Sequence, residues 1–143
     1  MPSPLLPPVR EEFRAIATAI VPEASSLRPD EWLELEALVE EQLAPRPPAM
    51  QRQLVTFIRV IALIARLRFL RPLHRLSDVH VRRVLESLER SPVLLLRRGT
   101  WGLRTLVFLG YYTRPGVAAS LGYRAHAGGW EARHAADRME RSA

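Results

Sequence analysis

The side chains in this sequence best suited to metal binding or acid-base catalysis are four histidines, His74, His80, His126 and His134. Two histidines on one helix converge on a metal ion when three or four residues separate them, because that spacing places both on the same face. His74 and His80 are six residues apart, which places them on different faces. We therefore predict no metal site.

Nucleophilic and nucleotide-dependent chemistry also lack their usual residues. The sequence has no cysteine, and no serine lies in a Gly-x-Ser-x-Gly turn. Neither a Gly-x-x-x-x-Gly-Lys phosphate loop nor a Gly-x-Gly-x-x-Gly dinucleotide turn is present. We predict that this chain has no catalytic residue, binds no cofactor and is not an enzyme.

Charge is distributed unevenly along the 143 residues. All 21 cationic residues are arginine, and the formal net charge is +6. Residues 1–50 hold four arginines and nine acidic residues, a net charge of −5, whereas residues 51–143 hold seventeen arginines and six acidic residues, a net charge of +11. This asymmetry is consistent with nucleic-acid or anionic-membrane contact, and equally with neutralisation of one half by the other within a fold or across an interface.

Prolines divide the chain into helix-length segments, and no segment shows the alternating β-branched pattern of a strand. We predict an all-α fold, a single-domain bundle of about five to six helices around a central apolar helix at about residues 48–70. The other helices are predicted at about 8–21, 29–43, 77–88 and 92–109, with a short one at 113–121. Residues 1–7 are predicted to be a flexible arm, residues 8–123 the helical domain, and residues 124–143 a loosely ordered or partner-docked extension.

Four of the predicted helices have a clear apolar side, and the helix at 48–70 is apolar around most of its circumference apart from a stripe of Arg52, Arg59 and Arg66. The four apolar sides comprise Val9, Phe13, Ile16 and Ile20; Trp32, Leu35, Val39 and Leu43; Met50, Leu54, Phe57, Ile61 and Ile64; and Val81, Val84, Leu85 and Leu88. Glu34, Glu40 and Glu41 should form a solvated acidic side of the second helix. Gly99 and Gly102 weaken the fifth helix, so we expect another backbone to approach closely there.

The segment 103–123 is rich in residue types that anchor protein interfaces. It contains Leu103-Arg104-Thr105-Leu106, Leu109-Gly110-Tyr111-Tyr112, Pro115 and Leu121-Gly122-Tyr123. Amphipathic aromatic rings beside glycines that let the backbone turn can form a rigid binding surface. The same tyrosines could instead close the domain's own core, and composition alone leaves both alternatives open.

These motifs resemble the C-terminal signature of the gluconate 2-dehydrogenase subunit 3 family, and residues 13–22, a helix ending at Ile-Val-Pro, resemble its N-terminal region. The resemblance implies a small non-catalytic subunit that stabilises, or assists the maturation of, a FAD-dependent oxidoreductase of the glucose-methanol-choline type. The FAD and the catalytic residues would then belong to the large subunit. This chain departs from the family in lacking a twin-arginine signal and in having Arg124-Ala125 where Gly-Pro often follows.

We therefore predict a partner-binding surface made of aromatic and arginine-bearing positions of this segment. These positions are Trp101, Arg104, Leu106, Phe108, Tyr111, Tyr112, Arg114 and Tyr123. The alternatives are a basic helical nucleic-acid-binding protein, with Arg97, Arg98 and Arg104 on phosphates, and a self-associating helical module.

The location of the protein is predicted from its apolar segments and its first residues. Three arginines interrupt the apolar run at 54–70, which favours a core helix over a transmembrane segment. Since the first residues show no basic signal region, we expect a cytoplasmic protein, or a periplasmic one if it is exported with its partner.

Overall fold

The computed structural model describes residues 4–114, which fold as an all-α single-domain bundle without strands. This confirms the predicted fold class. The α-helices of the described residues are α1 (Arg10–Ile20), α2 (Pro29–Leu43), α3 (Pro48–Phe69), α4 (Asp78–Glu89) and α5 (Leu94–Tyr112). Short 3₁₀ turns at Pro7–Val9, Pro22–Ser26 and Leu73–Arg75 connect or precede them.

Local capping signals set several of these boundaries. Pro29 occupies the first turn of α2, and the Glu31 carboxylate accepts a hydrogen bond of 3.2 Å from the backbone N–H of Arg28. Ser77 caps α4 by accepting a hydrogen bond from the backbone N–H of His80 at 3.5 Å. Both helices begin where the sequence predicted.

The helix predicted at 48–70 is present as α3, but α1 is the more completely buried of the two helices. Phe13, Ile16 and Ala17 of α1 are buried, and α1 packs against α3, α4 and α5. By contrast, the side chains buried in α3 are only Ile58, Ile61 and Ala65. The alanines of α1 let neighbouring helices approach closely, which favours the burial of this short helix.

The predicted acidic side of α2 is only partly solvated. Glu34 and Glu41 are exposed, but the Glu40 carboxylate accepts a hydrogen bond of 2.8 Å from the backbone N–H of Leu6. Leu6 is fully buried, so the packed domain begins before residue 8 and includes part of the predicted N-terminal arm.

A buried carboxylate, which the sequence analysis missed, joins α1 to α2. Glu36 is only 4% exposed, and its two oxygens accept hydrogen bonds from Arg14 Nε at 2.7 Å and Arg10 Nε at 3.0 Å. Two cationic donors offset the cost of removing this carboxylate from water.

The fifth helix lies two to three residues later in the sequence than predicted. Ser91 does not cap it directly but accepts a hydrogen bond from the backbone N–H of Val93, and the helix begins at Leu94. It continues through Gly110 to Tyr112, and Thr113 is its C-terminal cap. The helix predicted at 113–121 otherwise lies outside the described residues.

The glycines of α5 differ in their surroundings. A Cβ atom on Gly110 would lie 2.7 Å from Val39 Cγ2 and 3.3 Å from the carbonyl oxygen of Leu35, so Gly110 allows α5 to approach the backbone of α2. The close backbone approach predicted for Gly99 and Gly102 is wrong. Gly99 makes room for the ring of Phe57, and Gly102 has nothing within 4 Å of the Cβ position.

We predict opposite effects for alanine at two of these glycines. Gly110→Ala should lower the free energy of unfolding by about 1 kcal/mol or more, because its methyl group collides with the stiff Val39 side chain. Gly102→Ala should raise it by about 0.5–1 kcal/mol, since alanine favours the helix and the site is open. Chemical denaturation followed by circular dichroism measures both, and equal changes of one sign would contradict the packing of α5 on α2.

Candidate protein-binding surface

One side of α5 is buried against the bundle, and the opposite side exposes large apolar residues. Thr100, Leu103, Val107 and Gly110 are buried against the bundle. On the opposite side, Leu94, Trp101 and Phe108 follow one another at intervals of seven residues, which keeps them in one line along the helix. We define the outer face of α5 as the exposed large apolar residues of this side, namely Leu94, Leu95, Trp101, Phe108, Leu109 and Tyr112.

The aromatic residues of the outer face are well exposed and contact one another. Trp101 is 64% exposed, and Phe108 and Tyr112 are exposed by 37% and 41%. The rings of Phe108 and Tyr112 stack with their centroids 5.9 Å apart, and Tyr111 meets Tyr112 edge to face at 5.0 Å. These contacts restrict the rings before any partner arrives, so binding would cost less side-chain entropy.

Arg114 is buried and connects the end of α5 to the start of α2. Its Nη1 donates to Glu31 at 3.2 Å, and its Nε donates to the carbonyl oxygen of Tyr111 at 3.4 Å. Its guanidinium also lies 4.9 Å from the centroid of the Tyr111 ring. Burial raises the pKa of Tyr111, and the nearby Arg114 charge lowers it by a smaller amount. Arg114 and Tyr111 thus position α5 instead of extending its exposed surface.

Two further predicted site residues also hold the helix in place. Arg104 forms an ion pair of 2.6 Å with Glu89 of α4, and Leu106 is partly buried against the core. Of the predicted residues, the structure therefore places Trp101, Phe108 and Tyr112 together on the outer face, while Arg104, Leu106, Tyr111 and Arg114 contact the bundle. Tyr123 lies outside the described residues.

Leu94, Leu95 and Leu109 also belong to this surface, although they were not predicted from the sequence. All three are exposed and lie on the same helix as Trp101. The seven-residue spacing from Leu94 through Trp101 to Phe108 is visible in the sequence and could have identified the line. The sequence alone does not show that α5 begins at Leu94 or which side of α5 packs against the bundle, so the spacing did not identify an exposed surface.

A shallow cavity of about 310 Å³ lies between α1, α3 and the turn at Leu73–Arg75. Its polar groups come from Glu12, Arg66 and His74, and His74 Nε2 is 3.4 Å from the carboxylate of Glu11. Residues 4–114 contain no group of three histidine or acidic side chains that could hold a metal ion. Among these residues, no helix is long and apolar enough to cross a membrane.

Comparison with protein-family models, with curated proteins and with solved structures gives no match for this chain.

We predict that the Glu31 contact stabilises the fold in a pH-dependent way. Hydrogen bonds from Arg28, and then from Arg114, lower the pKa of Glu31 below its ordinary 4.5. A lowered pKa in the folded state contributes stability that is present above pH 4.5 and lost as the pH falls through the folded pKa. Glu31→Gln should therefore lower the free energy of unfolding at neutral pH, and its difference from wild type should shrink in acid.

The measurement is chemical denaturation at several pH values between about 7 and 3. Glu34→Gln is the matched control on the same helix, because Glu34 is exposed and makes no ion pair within the described residues. A Glu31→Gln difference that stays constant with pH would contradict an ionised carboxylate at this contact.

Proposed function

We propose that this chain is a non-catalytic subunit that binds a larger protein through the outer face of α5. The observation that supports this most directly is the line of exposed aromatic and leucine side chains on one rigid helix. Contiguous exposed apolar residues on a small domain typically mark an interaction site. Tryptophan and tyrosine are enriched among the residues that contribute most to binding energy.

The attachment of α5 supports a preformed binding surface. Gly110 packs against α2, Arg104 pairs with Glu89, and Arg114 reaches Glu31, so three separate contacts hold the helix. The outer face would therefore lose little backbone freedom when it binds. A surface that is ordered in advance devotes more of its contact energy to affinity.

We further propose that the partner is a FAD-dependent oxidoreductase of the glucose-methanol-choline type, which this chain stabilises or helps to mature. This follows from the resemblance to the gluconate 2-dehydrogenase subunit 3 family. Its Leu109-Gly110-Tyr111-Tyr112 motif lies where α5 both packs and is exposed, with Gly110 and Tyr111 against the bundle and Leu109 and Tyr112 outward. Two residues of the motif would therefore stabilise the fold, and the other two would contact the partner.

We expect Trp101→Ala combined with Phe108→Ala to abolish binding to such a partner. Each truncation removes an exposed ring that would fill a pocket, and loss of one anchor of this kind typically costs at least about 2 kcal/mol of binding free energy, or roughly 30-fold in affinity. The stability of the isolated chain should change little for Trp101→Ala, because Trp101 is 64% exposed. It should change more for Phe108→Ala, because Phe108 is 37% exposed and stacks on Tyr112. The experiment is co-expression of the tagged chain with a flavoprotein of this type from the same genome, followed by co-purification.

Leu67→Gln is the matched control, since Leu67 is also exposed but lies on α3. It should co-purify as wild type does, and the amount of soluble, FAD-loaded partner should follow co-purification. Wild-type chain that neither co-purifies nor changes the partner's solubility would refute the proposed partner. A homodimer that Trp101→Ala disrupts, seen by light scattering, would instead assign the outer face to self-association.

A further inference from the structure

A long stretch in the middle of the chain, between Glu41 and Asp78, contains several arginines and no acidic residue. Its seven arginines are Arg46, Arg52, Arg59, Arg66, Arg68, Arg71 and Arg75, and all are exposed. Within residues 4–114 none of these arginines forms an ion pair; the acidic residues beside this stretch are Glu11, which pairs with His74, and Glu12, which lines the shallow cavity together with Leu63 and Arg66.

The same stretch also exposes leucines. Leu63 and Leu67 are four residues apart, which places them on one side near the C-terminal end of α3, and Leu70 is the first residue after the helix. Their exposure increases along the chain, from 56% to 72% to 86%. We call these three residues the α3 leucine edge.

Arginines border this edge without interrupting it. At 100° per residue, Arg59 and Arg66 lie within about 60° of Leu63, whereas Arg68 lies about 140° away. The guanidinium of Arg68 instead lies 5.5 Å from the centroid of the Phe69 ring. The result is an exposed apolar edge with a cationic margin, the arrangement of a helix that lies in a membrane interface.

The backbone at Leu70 adds an independent observation. Leu70 has φ 57° and ψ 27°, the left-handed conformation in which glycine is usual at a helix end. A leucine in this conformation is strained, and its side chain is the most exposed of the large apolar residues described. Glycine would relieve the strain and remove the exposed apolar group, so the fold gains nothing from leucine here.

We propose that the α3 leucine edge and its bordering arginines dock on an anionic phospholipid surface. The leucines would enter the boundary between headgroups and acyl chains, while Arg59 and Arg66 contact lipid phosphates. A nucleic-acid duplex also attracts arginine, but it offers no environment that rewards three exposed leucines, and this edge has no exposed aromatic ring for base stacking. The site is separate from the outer face of α5 and does not depend on the proposed partner.

The test is sedimentation of the full chain with vesicles of phosphatidylcholine alone or with about one quarter phosphatidylglycerol. We expect binding to the anionic vesicles only, weakening as salt rises. Arg59→Gln with Arg66→Gln should reduce it by roughly 25-fold, taking about fivefold for each charge near the surface. Leu67→Gln with Leu70→Gly should reduce it by about tenfold or more.

Matched controls separate this edge from net charge and from misfolding. Arg97→Gln with Arg98→Gln removes two exposed arginines of α5, and Leu95→Gln removes a leucine that is 74% exposed there. Both should bind vesicles within about twofold of wild type if the edge itself binds lipid. Leu70→Gly alone should weaken vesicle binding while raising the unfolding midpoint, so a loss of binding cannot come from unfolding.

Several results would overturn the proposal. The first is that the wild-type chain does not bind anionic vesicles. The second is that Arg97→Gln with Arg98→Gln weakens vesicle binding as much as Arg59→Gln with Arg66→Gln does. The third is that the leucine variants bind vesicles as wild type does and duplex DNA displaces the vesicles. Vesicle binding should survive Trp101→Ala with Phe108→Ala, and co-purification with the flavoprotein should survive Leu70→Gly. Failure of one function therefore leaves the other measurable.

Discussion

The close approach of α5 to α2 at Gly110 determines what this protein presents to its surroundings. With no side chain at that position, α5 contacts Val39 and the backbone of Leu35 directly. The contact sets the rotation of the helix about its axis. Once Gly110, Leu103 and Val107 point inward, the helical repeat requires Trp101, Phe108 and Tyr112 to point away from the bundle. The exposed aromatic line is therefore a consequence of packing on the other side of the same helix.

The ion pairs explain why positive charge remains on one part of the surface. Glu36 is paired with two arginines of α1, and Glu89 is paired with Arg104, so each carboxylate is matched within its own half of the chain. The contact between Glu31 and Arg114 does cross from the acidic half to the basic half. It uses a single arginine, and the arginines of α3 and the following turn are left exposed. Neutralisation within the fold is thus only partial.

The bundle covers α3 only in part. Helix α1 contacts one side of α3, and Leu63, Leu67 and Leu70 remain exposed. Exposed apolar surface costs free energy in water, and here it adjoins exposed arginines. The two surfaces, aromatic on α5 and cationic with leucines on α3, arise on separate helices and suit different chemistries.

The sequence by itself determined the helices and most of their apolar sides. Proline and serine caps, together with a repeat of 3.6 residues, depend on neighbours along the chain, which is why α2 was predicted from Pro29 to Leu43 and the buried side of α4 was found. Only the tertiary structure decided which apolar side remained uncovered and which charges found partners. Helix α3 is apolar around most of its circumference, so its pattern could not distinguish a central helix from a peripheral one. Glu34 and Glu36 are the same residue type two positions apart. Glu34 is exposed, whereas Glu36 is buried because the arginines of α1 pair with its carboxylate. These outcomes depend on contacts between residues distant in sequence, which no local pattern encodes.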